Sequence, residues 1–329
     1  MVKKFGSELK NIRKTLGISQ RALSDDGKII SKSSLQRIES DNQTPSVDIA
    51  NSLLQRLDIS SPEMEYRLNN FSLSEKEKLI NEFREIGSSA NVTGINSLLI
   101  KMKTFLQSDY SAYISNLILI LESLTIFQKE QSFENARKIV APIWQSLEKR
   151  DEWLYKDILL ISNIIYMFDG ETFLNMKNRL LFFINKYYHL GTVKKLYIIT
   201  LLNSVLYMKK NNRFIEAEED LNIALIKAKE QNEHIRYLDA LSLKAELLWL
   251  KGEKETSIKT ARESFIKLYC LEQIDILEDN MKDWEKLTNI KVDTFLKNQS
   301  YFNSDFLKKT FGECLFSLSY QPVIFFCFH

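Results

Sequence analysis

Lys32, Ser33, Gln36 and Arg37 place an ammonium, a hydroxyl, an amide and a guanidinium in one short stretch of the chain. A guanidinium offers two parallel donors that match O6 and N7 of guanine. An amide offers the donor and acceptor that match adenine. Leu35 and Ile38 are apolar at helical spacing between these residues, so the four polar side chains are left to face outward from a helix that Ser31 caps. The elements that must hold this helix are legible around it. Phe5, Leu9, Ile12 and Leu16 form the apolar stripe of a first helix. Gly17 is a left-handed stop, and Ser19 caps a short second helix carrying Leu23 and a small Ala22, expected where two helices cross closely. Asp25-Asp26-Gly27-Lys28 makes a polar turn ahead of Ser31. After Pro45, Ser46 opens a fourth helix with Ile49, Ala50, Leu53, Leu54 and Leu57 as its buried face, and the cap-proline pair Ser61-Pro62 opens a fifth. This is the punctuation of a helix-turn-helix DNA reader.

The stretch resembles the phage-repressor (Cro/CI, or XRE) class of helix-turn-helix domains. The resemblance implies a third helix lying in the major groove, with Lys32, Ser33, Gln36 and Arg37 against base edges. Gln20, at the start of the second helix, and Asn42, just past the third, match places where the class grips phosphate, contacts that position the protein without reading sequence. Arg13 and Glu39 match the positions of a buried ion pair between the first and third helices, where an unpaired charge would cost several kcal/mol.

Composition bounds the rest. With 9 Gly and 4 Pro in 329 residues, long helices are favoured over strands and tight turns. A net charge of +2 supplies no global basic field, so any grip on DNA must come from a local patch. Cys270, Cys314 and Cys327 show no Cys-x-x-Cys spacing and read as reduced thiols. His189, His234 and His329 are far apart, and the single Cys327/His329 pair does not make a metal site. No glycine-rich phosphate loop, nucleophile elbow or His-Glu-x-x-His is present, so neither an enzyme nor a cofactor is expected. Charges at Lys3, Lys4, Glu8, Lys10, Arg13 and Lys14 leave no signal-peptide core. The most lipid-like stretch, Ile114 to Leu121, falls short of the roughly twenty apolar residues that span a bilayer. A soluble, cytoplasmic protein without a membrane partner is expected.

From Leu73 onward the chain reads as helix after helix. Ser74-x-x-Glu77 is a capping box before Leu79, Ile80 and Phe83, and Gly94 and Asp109 are expected as later breaks. Phe133, Phe173 and Phe214 then recur about forty residues apart, in the range of two-helix repeats. Ala136, Met176 and Ala217 follow them, with Ser257 one step on, and Asn212 and Gly252 share the turn before the second helix. Such pairs stack into a TPR-like α-solenoid whose first helices line a concave face. In this register Asn163 and Asn203 are equivalent, with Glu122 and Leu243 as counterparts before and after. A side-chain amide can clamp a peptide bond. Glu122, Asn163, Tyr166, Asn203 and Tyr207 are therefore the candidate set for a short apolar peptide lying along the groove. The alternative is that each asparagine satisfies a neighbouring helix inside the solenoid, and the sequence leaves both open. Beyond Trp284 the repeats run out. Leu315-Phe316 and Val323 to Phe328 form an aromatic tail that docks on the last helices, docks on a partner subunit, or has no selected role.

A phage-repressor-type reader followed by helical repeats, from Phe5 to Leu287 and including Phe71-Ser72-Leu73-Ser74-Glu75, resembles the Rgg/GadR/MutR family of transcriptional regulators of low-GC Gram-positive bacteria. The resemblance implies a homodimer that binds double-stranded promoter DNA and answers a short secreted signalling peptide, re-imported into the cytoplasm and held on the concave face by asparagines. The expected architecture is all-α: a five-helix helix-turn-helix domain over 1–68, a helical connector over 69–108, a helical-repeat domain for peptide binding and dimerisation over 109–290, and the aromatic tail over 291–329. Two other readings remain at this stage: a regulator without a ligand or controlled by a protein partner, and a helical-repeat interaction scaffold.

Overall fold

The computed structural model of the chain describes residues 3–86, 92–130, 132–191 and 193–292. Among the described residues all regular structure is helical, and the chain divides between Glu82 and Phe83 into two compact units. In the first unit lie α1 (Phe5–Thr15), α2 (Gln20–Leu23), α3 (Lys32–Glu39), α4 (Val47–Arg56) and α5 (Ser61–Leu68), and α6 (Glu75–Glu85) begins there.

Serine hydroxyls fix four of these starts. Ser19 accepts from the amide of Ala22 at 3.1 Å, Ser31 from Ser34 at 3.2 Å, Ser46 from Ile49 at 3.4 Å and Ser60 from Glu63 at 3.2 Å. Each satisfies a backbone donor that the helix cannot, worth about 1 kcal/mol. The fifth helix is thus capped one residue earlier than the sequence suggests. Ser60 reaches the third amide, and Ser61 and Pro62 fill positions whose own amides lack helical partners. Gly17, at φ 68°, ends α1 as expected. The Ser74–Glu77 capping box also forms, with Ser74 N to Glu77 Oε2 at 2.9 Å and Glu77 N to Ser74 Oγ at 3.3 Å.

Leu9, Leu23, Leu35, Ile38 and Leu53 have no exposed surface, and Leu54, Leu57 and Met64 complete the core around them. Burying each such side chain contributes about 1.5–3 kcal/mol. Ile49 and Ala50 are only half-buried at the edge of this core. Ala22 is exposed, so burial between crossing helices does not account for its small size. The close crossing is at Gly6, where an added Cβ would lie 1.7 Å from the carbonyl oxygen of Ile38. The amides of Gly6 and Ser7 donate to Asp41 Oδ1 at 3.0 and 3.2 Å, so the second residue past α3 caps the start of α1. The polar turn is a short 3-10 segment, Asp25–Gly27, with Asp25 and Asp26 both left-handed. Its carboxylates pair with Arg21 and Arg56, and Arg56 Nε donates to the carbonyl of Ala22 at 2.7 Å, which ties the turn to α4.

The second unit continues through α7 (Val92–Ser108), α8 (Ala112–Glu130), α9 (Phe133–Leu147), α10 (Tyr155–Ile164), α11 (Gly170–Lys186), α12 (Val193–Lys210), α13 (Glu218–Glu230), α14 (His234–Leu250), α15 (Lys254–Cys270) and α16 (Ile274–Thr288). Gly94 lies inside α7 and is not a break, because in a first turn the amides lack helical acceptors in any case. Asp109 does separate α7 from α8. α8 packs on α9, α10 on α11, α12 on α13 and α14 on α15, the expected helix pairs. Ala136, Met176, Ala217 and Ser257 are all buried, and Asn212 and Gly252 take the left-handed turn at φ 58° and 86°. The stretch Ile114 to Leu121 packs inside the protein as part of α8, and among the described residues no helix is long and apolar enough to cross a membrane. Cys314, Cys327, His329 and the aromatic segments at Leu315 and Val323 lie outside the described residues.

Because the Gly6 contact is with backbone, Gly6→Ala is expected to force α1 and α3 apart and destabilise the first unit by about 2–3 kcal/mol or more. Hydrogen exchange of the α3 amides in the full chain measures this, and unchanged protection would contradict the close approach.

Candidate functional site

Three helices of the first unit meet at one carboxylate. Glu39, at the end of α3, accepts from Arg13 of α1 through Nη2 at 2.8 Å and through Nε, and from Gln20 Nε2 of α2 at 2.8 Å. Arg13 Nη1 also donates to the carbonyl of Ile18 at 2.8 Å, holding the α1–α2 turn. Both charges are buried, Glu39 at 3% exposure and Arg13 at 8%. Burial opposes the Glu39 charge, but the Arg13 guanidinium and the Gln20 amide outweigh it and hold the carboxyl below its usual range. The same hydrogen bond raises the Arg13 guanidinium. The pair expected from Arg13 and Glu39 is present.

With Leu35, Ile38 and Glu39 turned inward, α3 exposes Lys32, Ser33, Gln36 and Arg37 together on its other side. Ser33 Oγ lies 3.0 Å from the hydroxyl of Ser31, beside the cap. Asn42, exposed just past α3, donates to Ser40 Oγ at 3.0 Å. Gln20 is half-buried, and its amide nitrogen is engaged by Glu39. Sequence reasoning missed Glu8, a buried carboxylate that takes Arg67 of α5 at 2.9 Å and Lys3 at 3.4 Å. Its signal was a charge one helical turn before Ile12, against the apolar stripe of the first helix.

In the second unit the candidate peptide residues are less alike than their register suggests. Glu122 of α8 is half-buried and pairs with Lys103 at 2.7 Å. Asn163 of α10 is 1% exposed; its amide nitrogen donates back to the Leu159 carbonyl at 2.7 Å, and its Oδ1 has no hydrogen-bond partner. Eight consecutive residues of α10, Asp157 through Ile164, are buried. Tyr166 is half-buried in the 3-10 turn that follows, and Asn203 is half-buried on α12. The Tyr207 hydroxyl accepts from the Gly170 amide at 2.9 Å, and its ring stacks on Phe173 with centroids 3.9 Å apart, so it fastens α12 to the start of α11. Also missed was Lys209, which reaches Glu246 at 2.6 Å and Asp283 at 2.7 Å. These three are evenly spaced, with a separation of 74 between the outer two, so the repeat period itself was the available signal. Among the described residues no group of three or more His, Cys, Asp and Glu is arranged to hold a metal ion.

Residues 9–64 match the helix-turn-helix family model, which spans α1 through most of α5. The first unit therefore contains a helix-turn-helix domain of the XRE type, a DNA-binding class in which the second helix of the motif, here α3, is the recognition helix. No curated protein matches the chain by sequence. Solved structures share its fold over most of their length. A Listeria monocytogenes EGD-e protein assigned as a transcriptional regulator superposes with a TM-score of 0.71 at 18% identity, covering 88% of this chain and 100% of its own. The SHP pheromone receptor Rgg2 of Streptococcus dysgalactiae does so with 0.59 at 17% identity, covering 86% and 99%. PlcR of Bacillus thuringiensis, solved in complex with the peptide PapR7 and DNA, gives 0.57 at 19% identity, covering 83% and 98%. The chain has the architecture of these proteins: a helix-turn-helix domain followed by helical repeats.

Removing one partner of the Arg13–Glu39 pair leaves a buried charge, so Arg13→Ala is expected to cost about 3–5 kcal/mol. Arg13→Met combined with Glu39→Leu is expected to cost clearly less, because no charge is stranded. Urea unfolding of the three proteins, followed by hydrogen exchange in α3, decides this. A double variant as damaged as the single one would show that the ion pair itself, and not the avoidance of a lone charge, holds the helices.

Proposed function

We propose that the chain is a homodimeric, DNA-binding transcriptional regulator of the cytoplasm whose helical-repeat unit binds a short signalling peptide. The observation that carries the DNA part is the outward face of α3, where Lys32, Ser33, Gln36 and Arg37 stand exposed while the inward residues are committed to the scaffold. Arg37 and Gln36 suit guanine and adenine edges in the major groove. Gln20 and Asn42 flank this face and are assigned to phosphate. Gln20 can donate to phosphate only through its amide nitrogen, by using the second N–H of that group or by releasing its bond to Glu39. In this reading residues 1–68 address the DNA, 69–108 connect, and 109–290 dimerise and hold the peptide. Two copies would engage half-sites about 34 Å apart, one helical turn.

The peptide part draws on the shared fold with PlcR and Rgg2, whose descriptions name a peptide and a pheromone. Asn203, half-buried on α12, is the preferred backbone clamp of the candidate set, which also holds Glu122, Tyr166 and Tyr207. Asn163 fits less directly, because its amide nitrogen already serves its own helix. That observation favours a second reading, in which the repeats respond to no peptide and the regulator is controlled by a protein partner or by dimerisation alone.

Arg37→Ala is expected to weaken binding to a specific genomic fragment by about 1–3 kcal/mol while leaving unfolding unchanged, as read by electrophoretic mobility shift. Equal affinity would remove Arg37 from the base-contacting set. Asn203→Ala is expected to abolish the change in DNA binding that the cognate peptide causes, with peptide-free DNA binding retained. An unaltered response would remove Asn203 from the pocket.

A further inference from the structure

The first helices of the last three repeats are joined at one partly buried cluster. Lys209 of α12 stands between Glu246 of α14 and Asp283 of α16, at 2.6 and 2.7 Å. Glu246 is 2% exposed. Half-buried Asp239, on the same helix as Glu246, accepts from Asn280 of α16 at 3.1 Å, and Asn280 also donates to Ser242 at 3.2 Å. Asp279 adds a further carboxylate on α16, 3.8 Å from Lys282. The single Lys209 ammonium thus stands against two carboxylates, Glu246 and Asp283. Of the elements packed against α14, α15 carries the half-buried Arg262 with Lys254, Lys259 and Lys267, and α16 carries Lys282 and Lys286. α15 contributes the hydroxyls of Ser257 and Ser264, which bond the Ala245 carbonyl and Ser242. Glu218 of α13 is taken by Lys244 and Lys251, Glu216 ahead of it by Arg213, and Arg236 of α14 by Glu233.

We propose that the Lys209–Glu246–Asp283 cluster is a proton-operated clasp that sets the packing of α12, α14 and α16: proton uptake by Glu246 lets the three helices close, and its ionisation opens them. Burial pushes the Glu246 carboxyl up, to about 7, against the pull of Lys209 and with the help of Asp283 and Asp239. Burial alone would lower the Lys209 ammonium, but the two carboxylates hold it above its ordinary value, so lysine stays charged throughout. A carboxyl raised on folding contributes stability that is fully present below its unfolded value and lost as pH rises through its folded one. The closed packing is therefore favoured on the acid side of about pH 7 and disfavoured above it. Ionised Glu246 leaves a buried excess of negative charge, which favours any arrangement that admits water between α14 and its neighbours.

The inference deepens the proposed function, since it gives the peptide-responsive unit a second input, but it is testable with no peptide present. Hydrogen exchange of the full chain, corrected for intrinsic exchange rates, is compared between pH 6 and pH 8. Wild type is expected to lose about tenfold protection in the second half of α14 at pH 8, and Glu246→Gln to keep the pH 6 protection at both. Lys209→Met is expected to move the midpoint to higher pH, because the attraction that lowers Glu246 is gone. Should Glu246→Gln fail to fold, the carboxyl of Glu246 followed by carbon NMR in wild type serves instead, with a midpoint near 7 expected. A midpoint in the ordinary carboxylate range, a pH-independent wild type, or a pH difference that survives in Glu246→Gln overturns the clasp. None of these outcomes bears on whether a peptide binds.

Discussion

The Glu39 carboxylate is the constraint on which the outward face of α3 depends. A buried charge is tolerated only with its hydrogen-bonding capacity filled, and Arg13 and Gln20 fill it from two other helices. That requirement fixes the rotation of α3 about its axis, because Glu39 must point inward for the bonds to form. Leu35 and Ile38 then enter the core, and Lys32, Ser33, Gln36 and Arg37 have only solvent left to face. Gly6 and Asp41 set the remaining freedom, the distance and tilt between α1 and α3, by backbone contact and by capping. A surface fixed in place by buried bonds loses little order on binding a partner.

Much of this surface was legible in the sequence because it rests on local rules. Serine caps, the glycine stop and the helical spacing of Leu35 and Ile38 act within a few residues of themselves, and the exposed set on α3 follows from them. Contacts between distant segments were not legible. Nothing near Gly6 announces that the Ile38 carbonyl will sit where its side chain would be, and nothing near Asp41 announces that it caps a helix 34 residues earlier. Ala22 was the more obvious small residue, but its neighbours leave it exposed. Gln20 carried a phosphate expectation, and its bond to Glu39 adds a scaffold role that no local pattern contains.

In the repeat unit the period of about forty residues located the helix pairs, since small or flexible residues recur where second helices pack and left-handed residues recur at the turns. The period did not determine what equivalent positions do. Asn163 and Asn203 share a register, but α10 is shorter than α12 and buried along its second half and more, which encloses one amide and leaves the other partly exposed. Tyr207, beside Asn203 in the reading of the groove, is drawn instead to the first amide of α11. Helix length and the packing of neighbours decide such differences, and neither is carried by register. The same reasoning explains Lys209, Glu246 and Asp283, whose even spacing is visible in sequence but whose convergence requires three helices to be stacked.

A helix-turn-helix domain of the XRE type is thus followed in the chain by stacked helix pairs, the architecture of a DNA-binding regulator. Protection of guanine N7 and adenine N3 from methylation, with the full chain bound to a fragment selected from genomic DNA, tests the central assignment of α3 most directly. The account predicts guanine N7 protection in the major groove at two half-sites about one helical turn apart. Protection confined to adenine N3 in the minor groove, or none at either position, would contradict it.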